Sequence, residues 1–441
     1  MKDKFREMFK KLRETVIPVS FCAVLVGVFV ACVVFLYRQL LEHAGDWSAN
    51  IYAYVAGHLA FLPLLIIGAG AIGLFLGYTV KLIPEILGGG IPYIEGVARG
   101  KLSLRWFLAL PAMFIASIIS VFGGLSVGGE GPSVFMGGSV GYGTAKVFRA
   151  HDLDRCVLTS AGGSSGFAAA FGAPFAGILF SVEDAHRKVT PQILLPAIVS
   201  VAVTTIMCRL VFQLGPILDF SGADFGRNNF NVVGALVAGV VCGLLGSLFN
   251  LACTAKSATI EKVKTQFRPL IAIGLAVVLG LVLPLAIGSG SAVLGDLEGV
   301  YASGAGLVAV IFLAKFLLTS VSSRSGASGG LMLPMLTLGA LAGMLTASIL
   351  HAWGLPVDTV FVCLMGASAF FSASVKAPLT GIVLMLELTW FEPSSMLGAV
   401  LAVGVAFLVS EFIKTAPLYD ALLVDIRERQ EEGADKTDNV A

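Results

Sequence analysis

The sequence is short of charge. Asp, Glu, Lys and Arg make up only 13% of its 441 residues, where soluble domains carry roughly 25%. So few charges cannot cover a water-facing surface, which excludes a water-soluble enzyme, a disordered chain and a nucleic-acid binder. Lys and Arg number 29 against 28 Asp and Glu, for a net charge of +1, so no basic field for polyanions exists either. CxxC pairs are missing. The seven cysteines stand singly in or beside apolar stretches and read as small core residues. The five histidines are scattered without ligand spacing, so no metal and no cofactor is expected. HExxH is absent as well, and the chain is not expected to be an enzyme.

What the sequence has is apolar length. Hydrophobic residues reach 57% and mean hydropathy is +0.91. Runs such as 15–37, 47–80, 106–129, 131–145, 156–182, 228–255 and 325–357 contain no Asp, Glu, Lys or Arg. About 20 apolar residues span a bilayer, and alternating ten-residue strands of a membrane barrel are not seen. The expected fold is an all-α polytopic membrane protein in contact with the lipid bilayer. Lys2, Lys4, Arg6, Lys10, Lys11 and Arg13 precede the first run. That run is too long for a signal peptide, so it reads as retained behind a cytoplasmic segment at 1–14. The charged tail at 421–441 is expected on the same side, without a soluble regulatory domain. These features fit a bacterial inner (plasma) membrane.

Glycine is in excess, at 52 residues or about 12% against an average near 7%. Small-residue packing between membrane helices explains many single glycines. It does not explain the strings Gly88-Gly89-Gly90-Ile91-Pro92, Gly128-Gly129-Glu130-Gly131-Pro132 and Gly329-Gly330. Such strings break a helix at membrane depth, which is tolerated where backbone lines a cavity.

The chain also repeats itself. Ala173-Pro174-x-x-Gly177-Ile178 with Glu183 recurs as Ala377-Pro378-x-x-Gly381-Ile382 with Glu387. Gly128, Pro132, Gly137 and Gly141 recur as Gly330, Pro334, Gly339 and Gly343, and Glu95-Gly96-Val97 recurs as Glu298-Gly299-Val300. All three blocks keep an offset near 203. The division expected is a first membrane repeat at 15–215, a linker at 216–227 and a second repeat at 228–420. Repeated halves with Gly/Pro-broken apolar segments are the mark of a transporter with its site where the halves meet. Helix N-termini attract anions, and no cluster of intramembrane Lys or Arg is present to trap them. An anion substrate is favoured over a cation, although carbonyl ends of the same broken helices could bind cations.

The three glycine-rich elements, in this order on two repeated halves, resemble the CLC family of chloride channels and proton-coupled chloride transporters. Its members carry GSGIP, GREGP and GxFxP elements and a late tyrosine. Here these stand as Gly88–Pro92, Gly128–Pro132, Gly330-Leu331-Met332-Leu333-Pro334 and Tyr419. The resemblance implies halves of inverted topology, a homodimer, and one anion pathway per subunit. It places the external gating glutamate on Glu130, the only charge between Arg105 and Lys146. An intramembrane carboxylate is costly and usually functional. By the same carry-over the anion site is expected among Gly89, Gly90, Ile91, Gly129, Gly131, Leu331, Met332 and Tyr419.

Several positions depart from the family pattern. Gly89 replaces the serine whose hydroxyl coordinates the central anion, which removes a donor and is expected to open space. Gly129 replaces the arginine before the gating glutamate, and Met332 stands where many members have phenylalanine. Transporting members carry an internal proton-relay carboxylate, which register places on Asp184 with Glu183 as its acidic neighbour. The bland alternative is a solvated helix end pairing these two acids with Arg187 and Lys188. Glu387 has no expected role, and Glu411 and Lys315 are expected in structural ion pairs. The function expected is chloride/proton antiport, with chloride or a similar small anion and protons as substrates. The runner-up is an uncoupled anion channel of the same fold.

Overall fold

The computed structural model describes residues 17–220, 228–255 and 262–438, with side chains to 428. The expected 1–14 segment, most of the expected linker and the last residues of the tail lie outside them. Among the described residues there is no β-strand, only one isolated antiparallel bridge, Gly128 to Gly330. Eight helices among the described residues are long and apolar enough to cross a membrane. The protein is an all-α, multi-pass membrane protein.

The helices run in two similar series. The first contains α1 (Ile17–Gly57), α2 (Leu62–Leu82), α3 (Ile91–Ala98), α4 (Trp106–Phe122), α5 (Glu130–Val147), α6 (Asp152–Phe171), α7 (Pro174–Phe180) and α8 (Pro191–Ile206). The second contains α9 (Phe230–Thr254), α10 (Arg268–Val282), α11 (Ser291–Gly295), α12 (Leu297–Ala302), α13 (Ala305–Ser325), α14 (Met332–Ala352), α15 (Thr359–Val375), α16 (Pro378–Leu388) and α17 (Pro393–Ile413). α18 (Leu418–Asp438) follows and carries the chain into its charged tail.

Glycines set how closely the central helices approach. A Cβ added to Gly162 of α6 would lie 2.1 Å from the Gly137 carbonyl oxygen of α5, and one added to Gly137 would lie 2.2 Å from that of Gly162. The second half repeats the contact: Gly339 and Gly366 face each other's carbonyls at 2.4 and 2.5 Å. Backbones packed this tightly gain dispersion contact that lipid cannot supply. α5 and α14 are thereby enclosed, whereas α2 lies mostly on the outer surface. Each half also starts a helix on its Ala-Pro pair. Ala173 (φ −114°, ψ 83°) and Ala377 (φ −117°, ψ 74°) precede Pro174 and Pro378 with nearly the same backbone, proline being suited to a first helical turn.

Candidate anion and proton site

Each glycine string ends one approach to the centre and starts a helix there. Gly90, at φ 87°, precedes α3; Gly129 precedes α5; Leu331 precedes α14. The bridge ties two of these starts together, because Gly128 and Gly330 exchange N–H to carbonyl hydrogen bonds of 2.7 Å in both directions. Gly131 faces the same junction: its Cβ would lie 2.7 Å from both the Gly330 Cα and the Gly89 carbonyl oxygen. Ile91, Leu331 and Met332 are buried. Tyr419, in the first turn of α18, is buried with a hydroxyl that has no hydrogen-bond partner among the described residues. It lies within electrostatic reach of Glu130, Asp184 and Glu95. Helix N-termini from both halves therefore meet in one small region, and their N–H groups lack intrahelical partners.

Glu130 stands in this region with 1% of its surface exposed. The backbone N–H groups acting on its carboxylate are those of Glu130 and Gly129 in one half and Leu333 in the other. Its Oε2 would touch a Cβ at Gly128 and has no hydrogen-bond partner among the described residues. The field of Arg38 reaches it, but that guanidinium donates to the carbonyls of Ala169 (3.1 Å) and Gly215 (3.0 Å). The carboxyl group thus lies beside amides of both halves, without a tight partner among the described residues to fix it.

The glycine departures take a different form from the one expected. Gly89 does not open space. Its φ is 76°, and a Cβ there would lie 2.1 Å from the Gly329 carbonyl oxygen. The backbone of the 329–330 segment fills the room a side chain would need. Beside Gly129 the room is taken by Leu41 and Tyr37 of α1.

Asp184, in the turn after α7, is 8% exposed. Around it lies an ionic cluster that sequence reasoning did not find. Arg99 donates to Glu95 (2.9 Å), to Asp420 (2.6 Å), and to the backbone carbonyls of Asp184 (2.6 Å) and Ala185 (3.0 Å). Arg187 pairs with the other oxygen of Asp420 at 2.6 Å. The solvated helix end is therefore not what forms: Arg187 turns to Asp420, and Asp184 is held in the interior. Glu95 is 2% exposed and its Oε1 has no hydrogen-bond partner among the described residues. The i,i+4 spacing of Glu95 and Arg99 was visible in the sequence, but not its depth.

Glu183 and Glu387 do something symmetrical. Glu183 accepts hydrogen bonds from the N–H groups of Leu379 (2.9 Å) and Thr380 (2.6 Å) and from the Thr380 hydroxyl (2.6 Å). Glu387 accepts from the N–H groups of Phe175 (2.9 Å) and Ala176 (2.8 Å). Each half's glutamate caps the Ala-Pro helix of the other, its carboxyl oxygens satisfying free N–H groups of the first turn. Glu387 thus has a structural role that the sequence did not suggest. The expected ion pairs divide. Glu411 binds Lys376 at 2.7 Å, while Lys315, fully buried, donates to Gly288 (3.0 Å) and Ser126 (3.3 Å) and meets no acid among the described residues.

The chain is similar to known proteins over nearly all its length. A family model described as the voltage-gated chloride channel matches residues 72–411. The H⁺/Cl⁻ exchange transporter ClcA of Salmonella typhimurium is 30% identical over 460 aligned residues, covering 99% of this chain and 95% of the relative. ClcA of Salmonella typhi matches at the same identity and coverage. Among solved structures, a slow cyanobacterial Cl⁻/H⁺ antiporter superposes with a TM-score of 0.83 at 26% identity, covering 94% of this chain and 99% of the other. A CLC-type fluoride/proton antiporter shares the fold at a TM-score of 0.73 and 19% identity, covering 92% and 98%.

Proposed function

This chain belongs to the voltage-gated chloride channel (CLC) family, and on that premise we propose that it exchanges chloride for protons across a membrane. The observation that carries the reading is the position of Glu130. A buried carboxylate lies beside N–H groups from both halves, where an anion would also be attracted. When ionised it competes with chloride for those amides; when protonated it gives way. Alternating anion and proton occupancy at one place is the basis of exchange.

The remaining roles follow the same reading. Gly89, Gly90, Ile91, Gly129, Gly131, Leu331 and Met332 supply backbone to the anion path, and Tyr419 supplies its unpartnered hydroxyl. Asp184 is the inner proton station, with Glu183 beside it and also holding α16. The chain works as a homodimer with both termini on the cytoplasmic face, in a bacterial inner membrane, its halves dividing at 15–215 and 228–420. Chloride efflux from proteoliposomes across a range of pH tests Glu130. Wild-type flux should rise on acidification, and Glu130→Gln should flatten that profile. A variant that keeps the wild-type pH profile would remove Glu130 from the role.

A further inference from the structure

Tyr419 is held by its neighbours rather than by its own hydroxyl, which has no hydrogen-bond partner among the described residues. Before it, the Asn250 side-chain amide of α9 donates to the carbonyls of Ala416 (2.6 Å) and Ser374 (3.1 Å). Directly after it, Asp420 takes one guanidinium on each oxygen, Arg99 on Oδ1 and Arg187 on Oδ2, both at 2.6 Å. Beyond Asp420, α18 lies tightly on α3, where a Cβ at Gly96 would be 2.8 Å from the Leu423 side chain. Arg99 follows α3, the helix that starts after Gly90 in the proposed anion path. All three of its side-chain nitrogens donate: Nε to the Ala185 carbonyl, Nη2 to the Asp184 carbonyl and the Glu95 carboxyl, and Nη1 to Asp420. One side chain therefore joins α3 to the turn holding Asp184, 85 residues away, and to the start of α18, 321 residues away.

Stability alone does not account for this arrangement. Taking paired charges out of water costs much of what their attraction returns, and Glu95 keeps one oxygen without a partner among the described residues. What a planar fork of fixed donors does well is set geometry, and charge-assisted hydrogen bonds are the strong ones. Exchange requires that an anion does not pass while the inner proton station stays idle. That station and the side chain on the anion path must therefore keep one relative position. Functional groups keep such a position when hydrogen bonds around them lock their supports.

We propose that Arg99 and Asp420 are positioning residues that clasp Tyr419 to the Asp184 turn, so that anion passage and proton transfer stay in step. The inference rests on the exchange reading above and gives a role to two residues that reading does not use. With the clasp loosened, Tyr419 moves independently of Asp184, and chloride slips through without its proton.

Paired chloride and proton fluxes in proteoliposomes read the clasp directly. Asp420→Asn keeps the shape of the side chain and removes its charge, so both arms weaken, and the chloride moved per proton should rise above the wild-type value. Asp420→Glu, which keeps two charged oxygens, should hold the ratio close to wild type. Arg99→Lys, a charge without the fork, should raise it. Arg187→Gln, on a half-exposed side chain, breaks one arm; it should raise the ratio less, and it gives the same reading where Asp420→Asn fails to fold. An unchanged ratio in Asp420→Asn and Arg187→Gln, even with a lowered melting temperature in detergent, makes the network structural and overturns the clasp while exchange stands. Wild-type chloride flux with no proton movement overturns the exchange reading, and the clasp with it.

Discussion

Glu130 and Gly89 show how much a single position can disclose. Glu130 stood out because it is the one charge in a 40-residue uncharged stretch between Arg105 and Lys146, and burial gives that isolation its meaning. Gly89 was recognisable as a missing serine, but its reason was not, since the obstruction comes from Gly329, about 240 residues away in the chain. Gly89→Ser should therefore destabilise the protein. The left-handed backbone costs roughly 1–2 kcal/mol for a residue with a Cβ, before the clash with the Gly329 carbonyl is counted. A lowered melting temperature in detergent checks this; an unchanged one would mean the 329–330 segment yields freely. Glu95 was hidden for a similar reason. Its repeat-mate Glu298 is exposed, so the repeat pattern cannot say which of the two is buried. Asp184→Asn should stop proton movement while chloride flux persists. Loss of both fluxes together would argue for a structural aspartate instead.

At the scale of elements, helix starts at the glycine strings were legible because Gly and Pro interrupt apolar runs wherever they occur. The exchange of caps between α7 and α16 was not legible. It requires knowing that the two Ala-Pro helices lie side by side, which depends on tertiary packing. Removing a cap charge with Glu387→Gln should cost about 1 kcal/mol and leave the proton-to-chloride ratio intact, as measured by denaturation and paired flux assays. A changed ratio would move Glu387 from a structural role into the proton path. The glycine contact between α5 and α6 gives a sharper test. Gly162→Ala puts a methyl 2.1 Å from the Gly137 carbonyl oxygen, and overpacking of this kind costs about 1–3 kcal/mol. Wild-type stability in that variant would show that the two helices are free to part.

For the whole molecule, the low charge content indicated a membrane protein, and the repeat indicated two related halves. Neither indicated how the halves engage. The structure answers with two reciprocal contacts, the Gly128–Gly330 bridge and the exchanged glutamate caps. A site shared in this way cannot be built by either half alone, which is why the carboxylate of one half meets an amide of the other. The proposed homodimer predicts a detergent-solubilised particle containing two copies of the 45.9 kDa chain, and a monomeric mass would contradict it. The central claim is coupled exchange. Its most direct measurement is proton movement in proteoliposomes given a chloride gradient and no pH gradient. Chloride running down its gradient should drive protons the opposite way through the membrane, and Asp184→Asn should abolish that movement. Chloride flux with no accompanying proton movement in the wild-type protein would contradict exchange and make the chain an uncoupled anion channel of the same fold.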